Sequence, residues 1–281
     1  MFAQERTIRL TIDLICQLTN VSRQAFYQRR KRLDRKAFRD VFLLAEVKVI
    51  RKRQPKIGCR KLLVLLRQKY PDPRLTIGRD CFFRLLREYG LLVERKKNYA
   101  RTTNSMHRFR KYKNRIKDIA ITSPNQVFVA DITYLDTFEG FCYLALITDV
   151  YSRKIVGYDV SRSLAIEGSM RALKMALKYV QLLEKLIHHS DRGIQYCSHA
   201  YVDHLLERSI TISMTEENHV YENAIAERVN GILKIEFMLG DKLLSVNLAQ
   251  KLVPEAIQIY NEERPHLKLN YKTPNTVYGN G

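Results

Sequence analysis

Gln126-Val-Phe-Val-Ala-Asp-Ile-Thr-Tyr134 is an apolar, β-branched run broken by one acid, Asp131. Such a run fits a strand buried within a sheet. A carboxylate buried there without a partner is costly, so a bound cation is a natural companion for Asp131. Outward from this run, residues 141–151 and 154–160 are rich in Val, Ile, Tyr and Phe and read as two more strands. The breaks at Phe138-Glu-Gly140 and Tyr151-Ser-Arg153 are short enough for antiparallel hairpins. Residues 165–183 place Met170, Leu173, Leu177 and Val180 at helical spacing. A strand at 186–189, a helix near 199–208, a strand at 210–214 and a helix through Glu227 follow.

Three strands, helix, strand, helix, strand, helix is the ribonuclease H-like order, an α/β class with a mixed sheet and helices packed on it. Two more acids stand out. Asp191 closes Leu186-Ile-His-His-Ser-Asp-Arg-Gly193, a short apolar stretch ending in a polar turn. Glu227 lies in a helical pattern, and thirty-five residues separate it from Asp191. This layout resembles the D,D-35-E core of retroviral integrases and insertion-sequence transposases. Two-metal phosphoryl transfer needs hard oxygen ligands bridging cations roughly 3.5–4 Å apart. The expected arrangement has Asp131 mid-strand, Asp191 just past the adjacent strand, and Glu227 on a helix lying across both. Asn223, Glu227, Asn230 and Lys234 share one helical face, which suits a DNA backbone following the helix. By strand alternation, one of His188 and His189 should point into the core and the other toward the active site. Asp149 reads as a structural turn residue, and Arg264 and His266 either bind DNA or lock the C-terminal segment to the core.

Charge separates the chain into two parts. Residues 1–120 carry 33 Lys/Arg against 10 Asp/Glu, and the remainder 16 against 19, within a formal net charge of +20. The basic part points to a polyanion, since each cation that neutralises a phosphate releases a counterion. Hydrophobic residues make up 46% of the 281, sufficient for a proper core. No apolar run of membrane-spanning length or secretory leader appears, and the five cysteines form no C-x-x-C pair. A reducing cytoplasm, at the nucleoid, is the expected location.

The expected domains are a basic helix-turn-helix region at 1–54, a second helical hairpin at 55–93, a basic linker at 94–123, and the catalytic core with its C-terminal helix and tail at 124–281. Ser22 should cap the second helix of the first pair, from which Arg23, Gln24, Gln28 and Arg29 could reach bases or phosphates. In the second pair Pro71-Asp-Pro73 ends one helix, Thr76 can cap the next, and Gly90 supplies a left-handed cap. Cys81, Phe82, Leu85, Leu86 and Tyr89 should form its core stripe. Arg60, Lys61 and Arg79 there, and Lys96, Lys97 and Arg101 in the linker, are the phosphate-contact candidates.

Further motifs carry a closer resemblance: Leu146-Ile-Thr-Asp-Val-Tyr-Ser-Arg153, His188-His-Ser-Asp-Arg-Gly-Ile-Gln-Tyr196, Glu227-Arg-Val-Asn-Gly-Ile-Leu-Lys-Ile-Glu236 and Tyr260-Asn-Glu-Glu-Arg-Pro-His266, with Ile57-Gly-Cys-Arg-Lys61 upstream. The chain is similar to the second-frame (OrfB) product of the IS three family of insertion-sequence transposases. It departs from that family at Phe128, often Trp, at Glu222, often Asp, and at Val220, often Cys. The resemblance implies cleavage at terminal inverted repeats and 3′-hydroxyl attack on target DNA, with two Mg²⁺ or Mn²⁺ held by Asp131, Asp191 and Glu227. It also implies double-stranded DNA and a second copy of the chain as partners, and a first-frame (OrfA) protein, free or fused. A non-catalytic DNA-binding regulator and a structure-selective nuclease are the alternatives.

Overall fold

The computed structural model describes residues 11–94, 108–178, 180–216 and 223–279. Lys96, Lys97, Arg101, Val220 and Glu222 lie outside the described residues. A five-stranded sheet forms the centre, built from β1 (Val127–Thr137), β2 (Gly140–Asp149), β3 (Ile155–Ser161), β4 (Ile187–Ser190) and β5 (Thr211–Met214), in the order β3-β2-β1-β4-β5. β1, β2 and β3 are an antiparallel meander, while β4 and β5 add in parallel on the other side of β1. This is the mixed ribonuclease H-like sheet that the element order implies.

Side-chain alternation sends the two sides of β1 into different cores. Phe128 and Ala130 join a cluster with α5 (Ile166–Leu177) and α7 (His199–Leu206). Leu135, Leu144 and Leu146 pack on the other side against α8 (Ala224–Glu236) and α9 (Val246–Glu262). Between β4 and α7 runs the single turn α6 (Ile194–Cys197), and the chain ends on α10 (Pro274–Gly279). Asp149 is buried in the β2–β3 turn, where its Oδ1 accepts from the Ser152 backbone at 2.7 Å and its Oδ2 from Asn125 N at 2.8 Å. It is structural, as its position suggests.

Gly157 on β3 is the tightest contact of this layer. A Cβ there would sit 2.1 Å from the Ala172 carbonyl oxygen, so α5 lies directly on the strand backbone. Gly157→Ala is expected to lower stability by about 1–3 kcal/mol through overpacking. A urea midpoint equal to the wild type would refute that packing.

The basic N-terminal part is helical: α1 (Ile12–Thr19), α2 (Arg23–Arg53), α3 (Cys59–Lys69) and α4 (Arg79–Glu88). Ser22 caps α2 by accepting from Ala25 N at 3.2 Å, and Gly90 takes φ 64°. Thr76 does not cap α4; it closes the short 3₁₀ turn Pro73–Leu75, and Gly78 occupies the cap position. Cys81 and Tyr89 are exposed, leaving Phe82, Leu85 and Leu86 as the buried stripe. α2 runs well past Arg32. Its Leu43, Leu44 and Val47 share one cluster with Ile57, α3 and α4, so a boundary between 54 and 55 passes through packed side chains. In the stretch 108–123, Phe109 and Tyr112 pack on one side of the sheet domain and Ile116 and Ile121 on the other. Arg115 N donates to Ser213 Oγ at 2.8 Å. This half of the expected linker is attached to the core.

Candidate active site

β4 pairs with β1 only along Val127–Ala130 and ends at Ser190. Asp131 is therefore the first residue of β1 beyond its parallel neighbour, and Asp191 the first residue beyond β4. Glu227 occupies the first turn of α8. The result is a crevice outside the carboxyl ends of parallel strands, where the connections diverge, which is the favoured place for a site in such sheets.

Asp131 is largely withdrawn from solvent. Its Oδ2 accepts from Asn230 Nδ2 at 2.7 Å and its Oδ1 from Ile132 N at 3.0 Å. Burial first, then the Asp191 carboxylate, push its carboxyl up to about 7; the Asn230 hydrogen bond opposes, and Glu227 adds a smaller upward push. Asp191 Oδ1 accepts from Gly193 N at 3.0 Å, and a Cβ on Gly193 would come within 2.9 Å of that oxygen. The Oδ1 of Asn230 is buried with no hydrogen-bond partner among the described residues.

Among the described residues, no three His, Cys, Asp or Glu gather closely enough to hold a metal ion. The structure thus puts Asp131 and Asp191 in electrostatic contact and leaves Glu227 exposed on α8. Like charges repel strongly at short range, which works against crowding a third carboxylate beside the first two. The donor set still fits a hard divalent cation, with two coupled carboxylates, a proton affinity raised by burial, and an orphaned amide oxygen at one locus.

Three expected DNA contacts prove to be internal supports. Asn223 is buried and donates to the Ala130 carbonyl at 3.3 Å, and Asn230 is buried holding Asp131. Helical spacing sets both near Glu227, but their side chains turn onto β1 while Glu227 stays exposed. Lys61 donates to Glu236 Oε1 at 2.7 Å, so its ammonium neutralises an internal carboxylate and not a phosphate. Lys234 stays near the site, its Nζ 4.5 Å from the centroid of the Tyr134 ring. Burial lowers its pKa, with Asp131 acting in the opposite direction.

Both strand histidines are buried. His188 Nε2 meets Tyr201 Oη at 3.0 Å, and burial, aided by His189, pushes its pKa down to about 3. His189 Nδ1 meets Ser213 Oγ at 2.8 Å. Arg264 and His266 lock the C-terminal segment: Arg264 binds both oxygens of Glu236 at 2.8 Å and meets His266 Nε2 at 2.8 Å. Burial works to raise the Glu236 carboxyl, but Arg264 and then Lys61 hold it below the usual carboxylate range.

Arg23, Gln24, Gln28, Arg29, Arg60 and Arg79 are exposed, Arg23 pairing with Asp13 and Arg79 with Asp80. A basic feature not singled out from the sequence is a 530 Å³ cleft between α2 and α4, where Arg32, Arg35, Lys36, Arg39, Arg74 and Arg84 outnumber Asp40 and Glu88. Its signal was available, because Arg32, Arg35, Lys36 and Arg39 follow i, i+3, i+4, i+7 along one helical side.

Residues 121–219 match an integrase core domain family model, and residues 208–274 match a second. The chain is 36% identical over 266 residues to the "Insertion element IS600 uncharacterized 31 kDa protein" of Shigella sonnei, covering 92% of this chain and 96% of the relative. It is 30% identical over 275 residues to "Transposase InsF for insertion sequence IS3fB" of Escherichia coli strain K12, covering 95% and 93%. Among solved structures, the HTLV-2 integrase catalytic core domain in complex with magnesium aligns with 56% of this chain and 97% of its own, at a TM-score of 0.44 and 18% identity.

Proposed function

The chain belongs to the IS three family of insertion-sequence transposases, and from that premise we propose that Asp131, Asp191 and Glu227 are its catalytic carboxylates. They would hold two Mg²⁺ or Mn²⁺. Such cations, when bound, polarise the scissile phosphate and make the attacking water or 3′-hydroxyl more acidic. Asn230 fixes Asp131 through one oxygen, and Asn223 ties the start of α8 to β1. Lys234, which feels the Asp131 charge, offers a cation to a substrate phosphate. Terminal inverted repeats and target DNA are the substrates, handled by more than one copy of the chain and with a first-frame protein.

The observation that carries the reading is the position of Asp131 and Asp191, each the next residue after the last β1–β4 pair, Ala130 with Ser190. Labelled terminal-repeat DNA with Mg²⁺ tests it, with and without a first-frame protein. Nicked ends, and joined products from a pre-cleaved end, are expected. Nicks without joining would make the chain a nuclease, and binding without either would make it a regulator.

The raised pKa of Asp131 has a stability consequence in EDTA. An acid whose folded-state pKa of about 7 exceeds its ordinary 3.8 binds its proton more tightly when folded. Stability then declines as pH rises from 3.8 towards 7. Asp131→Asn should raise the melting temperature by roughly 3–8 °C near pH 8 and change it little near pH 4. Equal melting of the two proteins near pH 8 would contradict this.

We also propose that the α2–α4 cleft grips phosphates. Arg35→Ala and Arg39→Ala should each flatten the plot of log affinity against log salt by about 1, while Lys61→Ala leaves its slope unchanged. Unaltered slopes for both arginine variants would remove the cleft from the interface.

A further inference from the structure

A cavity of 420 Å³ opens beside Asp191, and its wall is aromatic and aliphatic: Tyr134, Phe141, Tyr143, Leu164, Ile194 and Tyr196. That volume lies in the ~300–1,000 Å³ range of small-ligand pockets. Phe141 is 55% exposed, Ile194 43% and Leu164 42%, so three large apolar side chains ring an open mouth. Nothing in the proposed chemistry uses them. Tyr134 and Phe141 meet edge-on with centroids 5.2 Å apart, which holds the two rings in a fixed corner. Gln195 Nε2 donates to the Leu164 carbonyl at 2.8 Å and ties the two sides of the mouth together. Lys234 lies against Tyr134, placing a cation within reach of the same corner.

We propose that this pocket receives one unpaired nucleobase of the DNA end, stacked on Phe141 and Tyr143, while its phosphate lies at the Asp131–Asp191 crevice. The inference rests on the active-site assignment above, because Asp191 is both a pocket wall and a candidate ligand there. Three features favour a base over an apolar protein segment. Asp191 is part of the pocket wall, so a protein side chain seated there would crowd the proposed phosphodiester site. The walls are aromatic, and stacking accepts any base. A cation beside the ring corner suits the phosphate attached to that base. An enzyme acting near a duplex end gains by holding a frayed base out of the stack, since re-pairing would carry the scissile phosphate away from the carboxylates.

The test uses the full chain in Ca²⁺ with two probes: a forked duplex whose single-stranded arm carries one 2-aminopurine, and the same sequence fully paired. Wild-type protein should change the aminopurine emission at one arm position and bind the forked probe more tightly. Phe141→Ala should abolish that emission change and weaken forked binding ~5- to 100-fold, leaving paired binding unchanged, whereas Phe141→Tyr should preserve both. Phe141 is exposed, so neither change threatens the fold. Glu227→Gln should lose cleavage in Mg²⁺ but retain the emission change, which separates failure of the catalytic assignment from failure of the pocket. Equal binding of forked and paired probes by wild type and Phe141→Ala would overturn the proposal. So would a loss of self-association in Phe141→Ala with no aminopurine response, which would give the pocket to a protein segment.

Discussion

Asp131→Asn, Asp191→Asn and Glu227→Gln are each expected to abolish end cleavage, a fall on the order of 10⁴-fold or more, because groups that act as one unit fail together. Affinity for the same DNA in Ca²⁺ should stay within about twofold if, as proposed, phosphate contacts from the basic helices supply it. Of the three, Asp131→Asn is the most revealing. The change keeps the side chain's size and removes the charge that burial and Asp191 oppose, so an inactive variant that melts higher in EDTA would show a group kept for chemistry at the expense of stability. Glu227→Gln probes the other side of the site. Glu227 is exposed and outside any ligand cluster among the described residues, so loss of activity there means that α8 contributes its carboxylate once substrate and cations are present. Full cleavage by any one variant would remove that residue from the mechanism.

Glu236→Gln should be the most destabilising single change predicted for this chain. One carboxylate faces two cations, Lys61 from α3 and Arg264 from the C-terminal segment. Arg264 is only 1% exposed. Removing the anion leaves a guanidinium buried without a counter-ion, at about 3–5 kcal/mol, or a fall in melting temperature of roughly 6–20 °C. The wild-type contribution also has a pH signature. The depressed pKa of Glu236 means that its stabilisation is present above the ordinary glutamate value and disappears as pH falls through the lower, folded-state value. Replacing both partners, Glu236→Leu with Arg264→Met, should recover much of the loss, since a packed apolar pair rivals a buried ion pair. Melting of Glu236→Gln within about a degree of wild type would show that the network contributes little.

The sheet was legible because alternation and hairpin breaks are local properties. The run from Gln126 to Tyr134 places a strand, and its single acid marks the crevice. The supporting residues were not legible in the same way. Helical spacing sets Asn223, Asn230 and Lys234 beside Glu227, but it does not say whether DNA or β1 lies over that side. Lys61 and Glu236 are 175 positions apart, so no window of sequence reveals that they meet. The reach of α2 was obscured for a different reason. Its first half buries none of its side chains, even Tyr27, Leu33 and Phe38 standing exposed, and the residues packed against α3 and α4 begin only at Phe42. Arg, Lys and Gln sustain a helix by propensity, without the apolar stripe that usually announces one.

That long, half-bare helix works as a ruler. Its 31 residues span about 46 Å at 1.5 Å per residue, more than the ~34 Å repeat of B-form DNA. We infer that a duplex laid along it would meet α1, at the N-terminal tip, and the α3–α4 hairpin, packed on α2 from Phe42 onward, on different turns. A joint grip of that kind would depend on rotational phase, and a few base pairs inserted between the two stretches would swing one of them to the far side.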